Sequence, residues 1–285
     1  RCTSGGQPKR MRSFNVASTL SPLIAASPQD ARASDTAVTI APSSFAAIDA
    51  FPQCAKVLRD VRDSSHCGCS WAFAAAQSAS VQLCIATKGQ VQVPLSGEDT
   101  CFNSKEFHSE GCDGGSLGDG WNWMHIASSA GGAGGCVTGG NFNASGSLGG
   151  GWCSAFSLPP CAHHTHVAWD PNPSCATLNE TSPPGPTACD ASAKAPYDDY
   201  SKKYGYNGTS SRGYIVQVLQ TGADMQQAIQ LQGSVTSSLT VFPSFLNYTK
   251  GVYSGPETGQ PLGGLAVSVV GWGTDAGVGA PAHNR

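Results

Sequence analysis

The sequence predicts an α+β protein with a helical first part and a β-rich last part. Residues 70–88 form an Ala-rich run without proline that stops at Gly89, which is typical of a long helix. Three later segments alternate or run apolar in the manner of strands, at residues 213–219, 233–242 and 263–273. The 35 glycines and 18 prolines indicate that loops join short elements.

The predicted elements fall into an arm and two lobes. Residues 1–40 are rich in Ser, Ala and Thr without periodicity, so we expect an extended or poorly packed arm. A helical lobe over residues 41–210 follows, with a Cys- and Pro-rich insertion at about residues 152–200 that shows no helix or strand pattern. A β-rich lobe covers residues 211–285, with a short helix from Thr221 to Leu231 between two of its strands.

Composition bounds the possible functions. With 285 residues and 40% hydrophobic content, the chain can bury the core of one large domain or of two lobes. A formal net charge of -3 gives no basic surface for nucleic acid, and no run of about 18 apolar residues indicates a membrane span. We expect no cofactor, and no metal site either, because His163, His164 and His166 have no acidic or thiol cluster near them in the sequence.

Cysteines and sequons indicate an oxidising compartment. Twelve cysteines would be unusual in a reducing cytosol. Four Asn-X-Ser/Thr sequons agree with passage through the secretory route and predict a glycoprotein, at Asn143, Asn179, Asn207 and Asn247. Residue 1 is Arg, so we expect a processed or fragmentary N-terminus. The predicted location is therefore extracellular, or a secretory or lysosome-like lumen.

Residues 67–73 read Cys-Gly-Cys-Ser-Trp-Ala-Phe and resemble the nucleophile segment of papain-like cysteine peptidases, Cys-Gly-Ser-Cys-Trp. Here Cys and Ser have exchanged places, so that Ser70 stands at the nucleophile position and Cys69 one residue earlier. A thiolate is a strong nucleophile, whereas a serine hydroxyl is weak without an activating base. Ser70 begins the predicted helix, at the place where this family lowers the pKa of its catalytic thiol.

The resemblance covers most of the chain and is closest to the cathepsin B-like members, which implies a papain-like two-lobe fold. Residues 111–115, Gly-Cys-Asp-Gly-Gly, are similar to the strand whose backbone binds extended peptides, so Gly114 and Gly115 are expected to form a wall of the cleft. Further similar segments are residues 42–45, 51–54, 203–206, 245–253 and 271–273. Residues 2–9 are similar to the end of the family's propeptide, which blocks the cleft, so we expect a propeptide remnant in the arm.

An occluding loop is also implied by resemblance. Residues 159–164, Pro-Pro-Cys-Ala-His-His, resemble the loop whose paired histidines hold a substrate's C-terminal carboxylate in cathepsin B-like enzymes. In that family the loop gives dipeptidyl carboxypeptidase activity. His163 and His164 would take this role here, and the alternative is that they are ordinary surface residues.

Disulfide pairing follows from the same resemblance. It implies the bonds Cys54–Cys84, Cys67–Cys112 and Cys161–Cys175. The sequence does not settle how the other cysteines pair; we prefer Cys101–Cys189, which would leave Cys136–Cys153. Cys69 is expected to be a buried thiol or to form a disulfide, with Cys2 as one candidate partner.

The catalytic parts of a papain-like site are not intact in this sequence. Such a site needs a nucleophile, a His base, a side chain that orients the His, and an oxyanion donor. The family's Gly-Gly-His-Ala motif reads Gly-Gly-Leu-Ala here, with Leu265 at the base, and Ser64 stands where the oxyanion Gln is expected. The Asn-Ser-Trp motif that orients the His is not found between Gly273 and Arg285. An isobutyl side chain cannot accept a proton, and loss of a whole triad costs about 10⁶ in kcat.

The sequence therefore predicts a secreted or luminal cathepsin B-like protein without peptidase activity, acting as a binding or structural component. One alternative is an active cysteine-type endopeptidase or dipeptidyl carboxypeptidase with a rearranged site. Such a site would need Cys69 as the nucleophile and a base such as His108 or His125. On a helix, the side chain of Cys69 would point about 100° away from that of Ser70. Another alternative is a protein that captures peptides in the cleft without cleaving them. A second lobe that stops at Arg285 would expose apolar surface, so we expect a partner protein or a larger assembly.

Overall fold

The structure is a computed structural model, and it describes residues 23–28, 41–104, 109–129, 136–144, 146–162, 172–178, 181–193, 214–248, 250–253 and 259–273. The helices in these ranges are α1 (Ala47–Ala50), α2 (Ala55–Leu58), α3 (Ser70–Ala86), α4 (Gly97–Asn103), α5 (Leu117–Ser129) and α6 (Gly222–Gln232). The strands are β1 (Leu23–Pro28), β2 (Phe45–Ala46), β3 (Tyr214–Leu219), β4 (Val235–Val241), β5 (Gly263–Val269) and β6 (Gly271–Trp272). The predicted α+β class and its main helix and strands are confirmed. Of the helices described, none has both the length and the apolar character that a bilayer crossing requires.

Helix α3 is the centre of the first lobe and is buried on nearly every side. Its apolar residues are distributed all round the helix, and small alanines allow close packing by neighbouring elements. Trp121 and Met124 of α5 are fully buried against it. A Cβ on Gly120 would lie 2.8 Å from the Cβ of Ala75, so glycine permits this close helix approach. Helix α4 begins at a Ser96 cap, whose Oγ accepts the Asp99 N–H at 3.0 Å.

The second lobe is an antiparallel sheet with the strand order β3-β1-β4-β5. Strands β4 and β5 pair over their full length, from Val235↔Val269 to Val241↔Gly263. Helix α6 starts with a capping box between Thr221 and Asp224 and ends at Gly233, whose φ of +82° favours glycine. The small core of this lobe contains Ala228, Ile229, Val235 and Trp272.

Strand β1 lies within residues 1–40, the arm that the sequence predicts to be extended or poorly packed. It pairs with β3 along its whole length, from Leu23↔Leu219 to Pro28↔Tyr214, and meets β4 at Ile24↔Thr236. The local pattern does not reveal it, because the run is short, Ala-rich and paired with strands almost two hundred residues away. The other residues of the arm, with the predicted propeptide remnant at residues 2–9, lie outside the described residues.

Strand β2 links the start of the first lobe to the second lobe. Phe45 of β2 pairs with Trp272 of β6, and their rings stack at 5.0 Å between centroids. The Trp272 indole N–H donates to the Pro42 carbonyl at 3.0 Å. This pairing joins the first residues of the predicted helical lobe to the β-rich lobe. The predicted bounds of the arm and of the two lobes, at residues 40 and 41 and at residues 210 and 211, stay a prediction.

Polar side chains join α3 and α5 to the second-lobe sheet, in what we call the interlobe seam. Ser78 Oγ shares a hydrogen bond of 2.9 Å with Ser268 Oγ, and Gln82 Nε2 donates to the Ser234 carbonyl at 3.1 Å. The seam also includes the bond from the Trp121 indole N–H to Thr236 Oγ1 at 3.0 Å. Hydrogen bonds between buried or half-buried groups thus contribute to the contact between the lobes.

Five disulfides connect cysteines in the described part of the chain. The bonds Cys54–Cys84, Cys67–Cys112 and Cys161–Cys175 are the pairs that the resemblance implies. The preferred pairs Cys101–Cys189 and Cys136–Cys153 are wrong, because the structure bonds Cys69 to Cys101 and Cys153 to Cys189.

The physical reason for the different pairing is proximity that spacing does not encode. The Cα atoms of Cys153 and Cys189 are 4.4 Å apart, and the Asp190 N–H donates to the Cys153 carbonyl at 2.7 Å. Cys136 is instead a buried free thiol that contacts Thr100 Oγ1 at 3.2 Å. Desolvation by burial raises the pKa of this thiol far above its usual range, so it stays protonated.

Candidate active-site cleft

Ser70, at the predicted nucleophile position, is the first residue of α3. Its Oγ accepts a hydrogen bond from the backbone N–H of Ala266 at 3.2 Å. Ala266 lies on β5, directly after Leu265, which is half-buried. The fold therefore brings two sequence-predicted positions, Ser70 and Leu265, to the same place between the lobes. No other hydrogen bond is found for the Ser70 hydroxyl among the described residues.

The side chain of Cys69 points away from the site at Ser70 and Leu265, and its sulfur is held in a disulfide. It immediately precedes α3, is fully buried, and forms a disulfide with Cys101. Its sulfur packs in the first-lobe core with aromatic side chains such as Phe73 and Phe102, whereas Ser70 is half-buried at the cleft. A disulfide sulfur is not a thiolate and cannot act as the attacking group.

The residues 111–115 form a close-packed wall beside α3. The Gly68 N–H donates to the Cys112 carbonyl at 2.9 Å, and the Cys67–Cys112 disulfide lies next to this bond. A Cβ on Gly115 would lie 2.5 Å from Cε2 of Trp71, so the wall depends on glycine at this position. Gly115 is exposed, and the φ of +123° at Gly114 favours glycine there too.

Ser64, at the predicted oxyanion position, lies in a turn that contacts the base of the predicted occluding loop. The Ser64 carbonyl accepts the Cys67 N–H at 3.2 Å. The neighbouring Ser65 Oγ donates to the Pro159 carbonyl at 2.6 Å, and Ser65 has a φ of +55°. Ser64 itself is half-buried and has a side chain too short to replace a glutamine.

Several predicted residues fall where the structure gives no description. His163 and His164 lie outside the described residues, as do the rescue base His108 and the sequons at Asn179 and Asn207. The side chains of His125 and Asn247 are likewise not described. Asn143 is exposed on a 3₁₀ turn, and its φ is +50°.

Two groups of metal-ligating side chains occur within the described residues. They are His66 with Cys161 and Cys175, and Cys67 with Cys69 and Cys101, each within 4.8 Å. Every one of these sulfurs belongs to a disulfide. Metals bind cysteine as the thiolate, so neither group can hold a metal in this oxidised form.

A cavity in the first lobe is a feature that sequence reasoning missed. Its volume is about 360 Å³, and Glu98, Trp152, Phe156 and Asp190 contribute to its lining. Glu98 is buried at the start of α4 and accepts the Ser157 N–H at 2.5 Å. Burial raises the pKa of Glu98, and the nearby charges of Asp190 and Asp99 raise it further. The only signal in the sequence is an acidic pair after a helix-capping serine, which is common on exposed helices as well.

Comparison with known proteins identifies the class to which this fold and cleft belong. Residues 41–281 match the papain family cysteine protease domain, and the chain therefore belongs to that family. It is 33% identical over 242 residues to cathepsin B-like cysteine proteinase 4 of Caenorhabditis elegans, covering 83% of this chain and 63% of the relative. It is 32% identical over 236 residues to a cathepsin B-like cysteine proteinase of Schistosoma japonicum, covering 82% and 61%.

A solved structure agrees on the fold. Procathepsin B S9 from Trypanosoma congolense is similar with a TM-score of 0.56 and 21% sequence identity, over 84% of this chain and 65% of that one. The papain-like fold and the cathepsin B-like relationship that the motifs predict are thereby confirmed. The chain spans less than two thirds of the length of the two relatives.

Proposed function

We propose that this chain is a catalytically inactive cathepsin B-like protein that binds extended peptide segments in its cleft. The observation that carries the proposal is the hydrogen bond from the Ala266 N–H to Ser70 Oγ, with Leu265 beside it. The position of the nucleophile holds a hydroxyl whose oxygen accepts a hydrogen bond from a backbone N–H. The position of the base holds an alkyl side chain.

The chemistry of acyl transfer requires a proton acceptor next to the nucleophile. Ser70 has no such partner among the described residues, and a serine hydroxyl is not ionised at neutral pH without one. Only backbone N–H groups would remain to stabilise the oxyanion, because the side chain of Ser64 is too short to reach the position that a glutamine amide would occupy. Removing the catalytic groups as a unit costs about 10⁶ in kcat, which is on the order of 8 kcal/mol of barrier.

The alternative of an active peptidase with a rearranged site would need Cys69 as the nucleophile. That sulfur is bonded to Cys101 and is fully buried. An active form would first require reduction of this bond, and then a rotation of the side chain out of the aromatic core. Neither requirement applies to peptide binding, which makes binding the better supported function.

Binding is supported by the wall of the cleft. No hydrogen bond is found for the backbone N–H and carbonyl of Gly115 among the described residues, and the residue is exposed. Backbone groups of this kind can pair with an extended peptide as an added strand. The position of Gly115 over Trp71 is set by close packing, so the wall is in place before any ligand binds.

The setting that fits this function is an oxidising compartment. Five disulfides are stable outside the cytosol, and the exposed Asn143 is accessible to a glycosyltransferase. We propose a secreted or luminal glycoprotein that works as a component of an assembly, with a peptide or protein segment as its partner.

The test is an activity assay with a dipeptidyl fluorogenic substrate and a thiol-trapping epoxide. We expect no turnover above background and no epoxide on Cys69. The control is the double variant Ser70→Cys/Leu265→His, which restores the nucleophile and base and should become labelled by the epoxide at residue 70. Labelling of the unaltered chain at Cys69, together with turnover that the inhibitor abolishes, would contradict the proposal.

A second measurement addresses binding. The unaltered chain is titrated into a library of fluorescent peptides, and mass spectrometry checks that the bound peptides remain intact. Gly115→Ala should weaken binding because its Cβ would push against Trp71, whereas Gly264→Ala, whose Cβ meets nothing within 4 Å, should not. Equal loss in both variants, or no binding by the unaltered chain, would contradict a peptide-binding cleft.

A further inference from the structure

Four cysteines meet beside the N-terminus of α3 as two neighbouring disulfides, Cys67–Cys112 and Cys69–Cys101. The Sγ atoms of Cys67 and Cys69 are 3.2 Å apart, and those of Cys67, Cys69 and Cys101 lie within 4.8 Å of one another. Three of the four residues are buried, at 5% exposure or less, whereas Cys112 is half-buried. A reagent in solution therefore reaches this group of sulfurs through Cys112.

The backbone holds the sulfurs in this arrangement. The Cys69 N–H donates to the Cys67 carbonyl at 2.7 Å, which closes a tight turn at Gly68. The Gly68 N–H donates to the Cys112 carbonyl, and a Cβ at Gly68 would lie 2.4 Å from that oxygen. The turn thus requires glycine, and it keeps Cys67 close both to Cys112, to which it is bonded, and to Cys69.

We propose that these four cysteines form a thiol–disulfide exchange centre, which a small external thiol enters at Cys112. The external thiolate bonds to Cys112 Sγ, and the bond to Cys67 breaks with Cys67 leaving as a thiolate. The Cys67 thiolate then attacks Cys69 Sγ, and Cys101 leaves and takes a proton from solvent. The products are a mixed disulfide at Cys112, a Cys67–Cys69 bond and a Cys101 thiol. The number of disulfide bonds is unchanged.

The second step is favoured by distance. The Cys69 sulfur lies 3.2 Å from Cys67, so the thiolate released at Cys67 stands next to the disulfide that it attacks. Cys101 is fully buried as well, so a thiolate is disfavoured at either residue, and the exchange is completed when Cys101 takes up a proton. This exchange centre is a property of the first lobe and does not depend on peptide binding in the cleft.

The Cys153–Cys189 bond provides an internal control. Cys189 is also half-buried, so an external thiol can reach it. No third described cysteine lies within 4.8 Å of both its sulfurs. Once an external thiol has opened this bond, the bond can only re-form or be fully reduced. The released thiolate has no second disulfide within reach to attack.

The test uses the unaltered, oxidised chain with reduced glutathione at neutral pH, trapped at intervals with N-ethylmaleimide. Pepsin digestion at low pH preserves the bonds for mapping by mass spectrometry. We expect glutathione on Cys112, a Cys67–Cys69 bond and maleimide on Cys101 to rise together. Maleimide confined to Cys67, with Cys69–Cys101 intact throughout, would overturn the proposal. So would maleimide on Cys101 that appears no sooner than on Cys153.

A variant tests the second step without an external reagent. In Cys101→Ser the Cys69 sulfur is a thiol 3.2 Å from Cys67. We expect the purified variant to contain two isomers, Cys67–Cys112 with a Cys69 thiol and Cys67–Cys69 with a Cys112 thiol. A single isomer with Cys67–Cys112 would contradict exchange between the two bonds.

Discussion

The two lobes are held in different ways. All five disulfides found among the described residues lie in the first lobe, and the sequence has no cysteine after Cys189, so the second lobe carries none. The second lobe is a sheet with a small core, and it rests on α3 and α5 through the hydrogen bonds of the interlobe seam. The cleft therefore has one side that is cross-linked by disulfides and one side that is not.

This difference indicates how the fold can form with Ser70 and Leu265 at the positions of the nucleophile and the base. The sulfur at position 69 belongs to the disulfide framework of the first lobe, and the hydroxyl at position 70 accepts a hydrogen bond from the second lobe. Both residues have structural partners. We infer that such partners stabilise the cleft without any need for a nucleophile.

The largest effect is expected where the two lobes share a buried aromatic residue. Trp121→Ala should lower the free energy of unfolding by about 3–5 kcal/mol, because it leaves a cavity next to α3 and removes the bond to Thr236. Chemical denaturation measures this loss. Trp121→Phe keeps most of the packing and should lose only about 1 kcal/mol for the hydrogen bond. Equal losses in both variants would show that packing at this position contributes little.

Removing one disulfide tests the covalent side of the comparison. Cys54→Ser/Cys84→Ser should cost about 2–5 kcal/mol, since the bond closes a loop with a sequence separation of 30. Thermal unfolding followed in the presence and absence of a reducing agent measures it. Cys136→Ala is the matched control, because its thiol is buried but unbonded to another cysteine. A control as unstable as the double variant would mean that packing, and not the cross-link, is responsible.

The interlobe seam should contribute less for each contact. The bond between Ser78 and Ser268 is half-buried, and its coupling energy in a double-mutant cycle is expected at about 0.5–1.5 kcal/mol. The cycle uses Ser78→Ala, Ser268→Ala and their combination. Ser80→Ala is a control inside the first lobe, since its Oγ bonds to the Ala76 carbonyl. A coupling near zero would show that the lobes are held by other contacts.

Sequence predicted the elements and motifs that are local. The Ala-rich run predicted α3, and the observed helix ends two residues earlier than predicted. The strand patterns predicted β3, β4 and β5. The short motifs around Ser70 and Leu265 identified the papain family.

What the sequence missed depends on long-range contacts. The pairing of β1 with β3 joins segments almost two hundred residues apart, and its own residues have weak strand propensity. The partner of Cys101 depends on where the turn at Gly68 places Cys69, which no spacing rule encodes. The buried state of Glu98 depends on the loop at Ser157 that covers it.

The smallest effect concerns the pH dependence of the first lobe. Burial raises the pKa of Glu98 in the folded chain above its unfolded value, so the folded state favours the protonated carboxyl. The stability associated with this group is complete below the unfolded pKa, and it is lost as pH rises through the folded pKa. Glu98→Gln keeps an oxygen that can accept the Ser157 N–H but has no charge to lose. Melting temperatures from about pH 4 to about pH 8 should therefore show a difference between the variant and the unaltered chain that grows with pH. The exposed Glu110→Gln serves as the control, and a difference of the same sign and slope there would remove burial as the cause.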